Sequence, residues 1–456
     1  MHIISRLSIC FFVILWFVPL LSKAQHLDSD LKNLIDKGVN KSHFVTIQSF
    51  NIEESKVDQK LAKRVFLPKV TFNANFTRLN DDITFDDDTQ NLLNATQKLL
   101  IKEAVGIPFN NPLPDNIPLA EIPNLQDKNI LKSSVNLDWV LFSGFEATNA
   151  LKASKHKEIS LNYVKTSEKD KIALKIIETY DKLGLVYASK QVLNSSEKYL
   201  KEQEFYTKKA IENGLATPIN RKKIELAQQQ LAAKQLEFNH NKILLIEVLH
   251  QLTGEEKEKL EMLNPSLHSN PINLETDAEK RNEVKALEEA EKATLYKSKM
   301  EKSNFIPKLA IKGHYEFIED DLSLLEPKWY IGAGIKWNVF DGGQSSLKNK
   351  KSKIEGQKYR EQIEDANEMI KLSIVKAELT YEASLQNIKI AQKEAELASD
   401  TYEMINKQYK NDLTSITEVL DALNDLEKAN FRLQESTFNQ RRAVIDLLYA
   451  KGILNY

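Results

Sequence analysis

Four stretches of the chain alternate apolar and polar residues with a period of two. Val70, Phe72, Ala74 and Phe76 alternate with Thr71, Asn73, Asn75 and Thr77, and Leu309, Ile311, Tyr315 and Phe317 stand against Lys312, His314 and Glu316. Further on, Val135, Leu137, Trp139 and Leu141 alternate with Ser134, Asn136 and Asp138. Trp329, Ile331, Ala333, Ile335, Trp337 and Val339 do so with Tyr330, Gly332, Gly334, Lys336 and Asn338. The pattern predicts strands at about 69–77, 133–142, 308–317 and 329–340, each with one apolar and one polar face. Such lengths cross a bilayer when the strand is tilted.

Past the second strand of each pair the period becomes helical. Ile172, Ile176, Tyr180, Leu183 and Tyr187 in one stretch, and Ile370, Ile374, Ala377, Tyr381, Leu385 and Ile388 in the other, mark a coiled-coil-like seam. No proline occurs from Phe145 to Thr217 or after Gly342. A helix of about 65 residues rises about 98 Å. Each long helix breaks near Gly214 or Asp412 and returns, which predicts helical hairpins over 145–254 and 343–452, with helices over 25–66 and 282–305 ahead of the strands.

These elements form an internal two-fold repeat. Phe66-Leu67-Pro68-Lys69-Val70 recurs 239 positions later as Phe305-Ile306-Pro307-Lys308-Leu309. Trp139-Val140-Leu141-Phe142-Ser143-Gly144 recurs 198 positions later as Trp337-Asn338-Val339-Phe340-Asp341-Gly342, and that offset also relates Asn213-Gly214-Leu215 to Asn411-Asp412-Leu413 and Gly254 to Gly452. Repeat 1 spans 25–254, a linker or equatorial segment 255–281, and repeat 2 282–456. The change of offset puts a 41-residue insertion between the strands of repeat 1, within residues 78–132. Rich in Asp and Pro, it reads as a long polar loop at the mouth of a barrel or as a disordered insertion. Its aspartates lack the spacing of a calcium loop and read as a solvated segment.

Composition removes whole classes of function. Only 13 Gly and 12 Pro occur in 456 residues, too few turns for several compact domains. A net charge of −2 leaves no footprint for nucleic acid. Arg6, the apolar run Ile9–Leu21 and Ser22-Lys23-Ala24 have the order of a signal peptide over 1–24. The single cysteine, Cys10, lies inside it, so the mature chain has none for a metal site, a disulfide or a nucleophile. The eight histidines show no metal-ligand spacing, and no phosphate loop or nucleophile elbow occurs. No enzyme, catalytic residue, cofactor or metal is expected.

Two strands per repeat give four per chain. A bilayer does not satisfy the open edges of such a sheet, and single-chain barrels begin at eight strands, so the chain should be an obligate oligomer. The helices are too polar for lipid and should project from the barrel as a tube.

The whole mature chain resembles the TolC-type outer-membrane efflux and secretion channel family. The resemblance is carried by Leu67-Pro68-Lys69 and Ile306-Pro307-Lys308, by Trp139 with Phe142-Ser143-Gly144 and Trp337 with Phe340-Asp341-Gly342-Gly343, and by Tyr409 with Val419-Leu420-Asp421-Ala422. It implies an α+β membrane protein: a homotrimer with one shared twelve-stranded β-barrel in outer-membrane lipid, continued by a periplasmic α-helical barrel. It also implies a periplasmic adaptor and an inner-membrane pump as partners, and a passive exit duct for small molecules or polypeptides. A tethering coiled-coil protein of the envelope is the alternative; it accounts for the helices but not the four amphipathic strands. A periplasmic adaptor would need a Gly-rich lipoyl-like segment, and Gly is scarce.

Past the second hairpin turn, Glu418, Asp421 and Asp425 share a narrow arc of a helix whose other side is apolar. By the resemblance, Glu418 and Asp421 occupy positions of two acidic rings at a periplasmic aperture, and Tyr409 that of a gate residue. Thr414 stands where an Arg latch is often found and Asn220 where Asp is common. The 198-residue offset sets Asn220 opposite Glu418 and Lys223 opposite Asp421, which makes Lys223 a candidate latch. The tips, Gly214, Leu215, Asn411, Asp412 and Leu413, are the expected adaptor-docking sites.

Overall fold

The computed structural model describes residues 28–114, 117–268, 277–318 and 326–456. The predicted signal peptide with Cys10 lies outside them, as do part of the linker and part of the connection between the last two strands. Two compact units divide the chain, and they cut across the sequence repeats, each taking segments of both. One comprises Phe50–Asn162 and Ala286–Ile363; the other comprises the residues up to Ser49, Tyr163–Lys285 and Glu364–Tyr456.

The first unit is built on a four-stranded antiparallel sheet in the order β1 (Lys69–Arg78), β2 (Asn129–Phe142), β3 (Lys308–Glu316), β4 (Trp329–Lys336). Its register stacks apolar rows on one face. Val70 pairs with Leu137, Leu137 with Gly313 and Gly313 with Ile331, while Phe72 pairs with Val135, Val135 with Tyr315 and Tyr315 with Trp329. The other face carries Thr71, Asn136 and His314, the last within hydrogen-bond distance of Asn136 (2.8 Å). Among the described residues nothing in the unit covers the apolar face: Val70, Phe72, Phe76, Ile331 and Ile335 are all more than 60% exposed. β4 ends at Lys336, short of the Phe340 that alternation predicted, because its partner β3 begins at Lys308. β2 begins at Asn129, four residues early, where β1 still offers Arg78 as a partner.

The repeated motifs meet each other. Trp139 donates its indole N–H to the carbonyl of Phe66, and Trp337 to that of Phe305, both at 3.0 Å. Each tryptophan thus ties its strand-to-helix junction to the Pro-Lys turn of its own repeat. Small side chains let the adjoining helices approach: on α2 (His43–Arg64) and α4 (Glu146–Glu212), Ser55 and Ser154 are buried and hydrogen-bonded to each other's backbone.

The insertion in repeat 1 is neither a bare loop nor disordered, as its composition suggested. It holds a 19-residue helix, α3 (Asp87–Val105). Asp86 caps it by accepting from the Thr89 N–H at 2.7 Å, and Gly106, left-handed at φ 74°, ends it. The acidic run is therefore a cap and first turn, where carboxylates favour the helix dipole. Asp82, outside the helix, accepts from the Lys128 N–H at 2.7 Å.

The second unit is a helical bundle. It contains α1 (Ser29–Lys41), α5 (Pro218–Thr253), α6 (Lys257–Glu261), α9 (Ile416–Ala450), and the distal parts of α4 and α8 (Gln344–Lys410); α7 (Asn282–Lys302) begins in it. The seam predicted on α4 is its core: Ile176, Tyr180 and Leu183 are buried with Leu31, Ile35, Leu249, Leu260 and Ile445. Each such aliphatic side chain contributes about 1.5–3 kcal/mol on burial. The seam on α8 buries Ala377 and Tyr381 against Val444 and Leu447 of α9. Arg441 pairs with the buried Asp181 at 2.8 Å, joining α9 to α4; burial pushes the Asp181 carboxyl up against the pull of Arg441. Among the described residues no helix is long and apolar enough to cross a membrane.

Candidate functional site

Two hairpin turns close this bundle with the same geometry. Leu215 N–H bonds to Ala210 O (2.8 Å) and Gly214 N–H to Ile211 O (3.0 Å); Leu413 N–H bonds to Gln408 O (2.9 Å) and Asp412 N–H to Tyr409 O (3.0 Å). Both turns are Schellman motifs with one left-handed residue, Gly214 at φ 71° and Asp412 at φ 59°. Pro218 opens α5 and Ser415 caps α9. Leu215 and Leu413 point outward, 67% and 76% exposed. Asn411 spends its side chain on Lys407 O at 2.8 Å.

Behind the turns, four helices share a core of Leu193 and Leu200 (α4), Ile224 and Leu231 (α5), Tyr402 (α8), and Ile416, Val419, Leu423 and Leu426 (α9). This apolar packing fixes the opposite face of α9, where Glu418, Asp421 and Asp425 are exposed. Glu418 belongs to the cap: its N–H bonds to Ser415 Oγ at 3.4 Å and its carboxylate accepts from the Thr414 hydroxyl. Ser415 and Glu418 have the S-x-x-E spacing of a capping box, a signal present in the sequence and missed there. Asn220 sits in the equivalent turn of α5, its N–H bonded to Thr217 O at 3.0 Å.

Asp421 lines a groove of about 310 Å³ with Lys223, Leu226, Lys234, Thr417, Asn424 and other residues of α4, α5 and α9. Lys223 faces this groove but donates to Thr417 Oγ1 at 2.6 Å rather than to either acid. Lys234 at the same groove pairs with Glu427, a buried carboxylate. Tyr409 is hydrogen-bonded to Thr207 at 2.9 Å. Lys410 pairs with Glu202 at 2.8 Å, and that hydrogen bond raises the Lys410 pKa.

A buried polar layer here was not anticipated. Gln203, fully buried on α4, donates to Asn406 Oδ1 at 2.9 Å and approaches the Tyr402 hydroxyl at 3.4 Å. Burial pushes the Tyr402 phenol up to about 12. The separations of these pairs, 203 for Gln203–Asn406, 202 for Thr207–Tyr409 and 194 for Lys223–Thr417, cluster about the repeat offset, so the offset itself flags which residues of the two hairpins share a level. Among the described residues no group of three His, Cys, Asp or Glu side chains is placed to hold a metal ion.

A four-stranded sheet whose strands feed two long helical hairpins is the fold of outer-membrane channels. The chain matches the outer membrane protein VceC from Vibrio cholerae with a TM-score of 0.72 at 14% identity, over 93% of this chain and 96% of that one. It matches the CmeC outer membrane channel of Campylobacter jejuni at 0.69 and 16%, over 93% and 86%. The open state of the MtrE outer membrane channel of Neisseria gonorrhoeae matches at 0.65 and 14%, over 92% and 88%. No curated protein sequence matches the chain. A family model described as outer membrane efflux protein matches residues 274–452, which include nearly all of repeat 2. Over that repeat the chain is similar to the outer membrane efflux protein family, and it shares the fold of these solved outer-membrane channels.

Proposed function

We propose that the protein is the exit duct of a tripartite export system, a homotrimer that closes one twelve-stranded barrel and is driven by an inner-membrane pump through a periplasmic adaptor. The observation that carries this reading is a pair of unsatisfied surfaces. β1 and β4 are open edges of an apolar-faced sheet, which a bilayer tolerates only when the ladder closes. On α8, Leu372, Leu379, Ile390, Leu397 and Met404 lie exposed at intervals of seven and eleven, the repeat of a helix seam. Further copies of the chain supply both partners at once. Solution mass in detergent tests this: a trimer is expected, and a well-folded monomer overturns it.

The aperture is assigned to the hairpin ends. Three copies each of Glu418 and Asp421 around a narrow water column favour cations, and Lys223, held to Thr417, fastens α5 to α9 in the resting state. In planar bilayers, Glu418→Ala with Asp421→Ala should lower cation preference and block by multivalent cations. Lys223→Ala should raise resting conductance. Retained selectivity in the double variant leaves the acids a solvated face, and unchanged conductance removes the latch.

The adaptor is assigned to the rim formed by Leu215 and Leu413 with Gly214, Asn411 and Asp412. Leu215→Arg with Leu413→Arg should abolish export at unchanged trimer levels. Normal export in that variant takes the rim out of the partner site. An amphipathic sheet of this register favours the duct over a tethering protein, which has no use for it.

A further inference from the structure

Helix α3 is amphipathic in the wrong sense for its own chain. The side packed on the rest of the insertion carries polar anchors: Gln90 donates to Phe85 O (2.6 Å) and Gln97 to Ala120 O (3.2 Å), while Lys102, elsewhere on the helix, donates to Phe109 O (3.1 Å) beyond its end. No residue of the helix is buried. Its leucines face outward, with Leu92 67%, Leu93 37%, Leu99 48% and Leu100 61% exposed.

The leucines are not one stripe. At about 100° per residue, Leu92 and Leu99 form one ridge and Leu93 and Leu100 a second, roughly 100° away, with Thr96 and Glu103 between them at about 40° and 20° from the first. A helix lying on lipid would press Glu103 into the apolar layer, where an unpaired carboxylate is costly. The insertion as a whole opposes that placement too: residues 79–128 carry nine acidic and three basic side chains, which anionic headgroups repel. A helix in a three-fold ring has instead two neighbours on diverging sides and a water-filled axis between them. Two leucine ridges with a polar stripe between them match that environment.

Position agrees with this occupant. The insertion leaves from β1, the open edge of the sheet, and returns through the Ile83–Gln126 bridge to β2. It emerges at the end of the sheet away from α4, which follows β2.

We infer that the α3 helices of three copies of this chain pack side by side, the Leu92/Leu99 ridge of one against the Leu93/Leu100 ridge of the next, as a constriction at the outer mouth of the barrel, with Thr96 and Glu103 toward the axis. The inference rests on the trimer proposed above. Each ridge is short, so the barrel and not α3 holds the assembly, and deleting Asp81–Leu125 should leave a trimer of higher conductance.

The mature chain, cysteine-free once 1–24 is removed, makes crosslinking a clean test. In the mature protein in detergent, Leu93→Cys/Leu99→Cys treated with a short bismaleimide should give covalent dimers and trimers on denaturing gels. Asn94→Cys/Lys98→Cys, on the opposite face, should stay monomeric there. Native mass of the same samples separates two failures: trimers without crosslinks overturn the α3 ring alone, and monomers overturn the assembly and the ring with it. Labelling of Leu93→Cys by a bilayer-confined maleimide in place of crosslinking assigns the leucines to lipid and also overturns the ring. Glu103→Lys should shift selectivity toward anions in planar bilayers, and unchanged selectivity removes Glu103 from the axis.

Discussion

The two strand-to-helix junctions have the same backbone and opposite surroundings. At Gly144, φ is 65° and an added Cβ would lie 3.0 Å from Ile306 O and 3.1 Å from Ser303 O, so the Pro-Lys turn of repeat 2 is seated on the junction of repeat 1. At Gly342, φ is 67°, and none of the described residues lies within 4 Å of that position. The turn that would fill it by the repeat, Phe66-Leu67-Pro68, is left with Leu67 60% exposed. Repetition built two equivalent seats into one chain and a contact for only one of them. The open seat at Gly342 and the bare turn at Leu67 are a matched pair within the repeat, which the ring proposed above would bring together between neighbouring copies.

The largest effect should separate these seats. Gly144→Ala combines a left-handed φ with an overpacked backbone contact and should destabilise the chain by roughly 2–5 kcal/mol, seen as loss of folded protein. Gly342→Ala meets only the φ penalty, roughly 1–2 kcal/mol within one chain. If Leu67 of a neighbour fills that seat, the loss appears instead as trimer falling apart in detergent, at normal chain levels. Equal loss of folded monomer in both variants would show that the two seats are held alike within one chain.

Trp139→Phe and Trp337→Phe come next. Each removes one indole donor from a Phe carbonyl at the same distance, so each should cost about 1 kcal/mol in thermal unfolding. A cost confined to one would mean that the two Pro-Lys turns differ in what else holds them.

What could be read in the sequence follows the same division between pattern and surroundings. The strands and hairpins were legible because period two and period 3.6 report which side of an element meets an apolar layer, whether that layer is lipid or a helix. Helix α3 was not, because the Asp and Pro around it set the composition and because Thr96 and Glu103 split its leucines into two ridges. Its start and stop signals, Asp86 three before Thr89 and Gly106 at the end, are both present in the sequence. The polar layer of Gln203, Tyr402 and Asn406 carries no periodic mark, since polar residues within a polar helix look solvated until the partner helix is in place. Lys223 was set against Asp421 by the offset; the structure has it on Thr417, one turn nearer the tip, because equal level does not give equal direction on a wound helix.

The smallest effect lies at the tips, where the repeats differ by one side chain. Gly214 and Asp412 occupy the same left-handed site of the same motif, and Gly214 has nothing within 4 Å of its Cβ position. Space is therefore not what distinguishes them, and the backbone alone decides. Glycine adopts this conformation freely while Asp meets a modest penalty that its short polar side chain eases. Asp412→Gly should then raise thermal stability by up to about 1 kcal/mol, and Gly214→Asp should lower it by the same amount. The two changes should be mirror images in unfolding experiments, and retained export in both would confine the adaptor contact of the rim to its other residues, Leu215, Leu413 and Asn411. A stability gain at Asp412→Gly with loss of export would instead show that the Asp412 carboxylate meets the partner, and the two turns would then differ in function despite their common geometry.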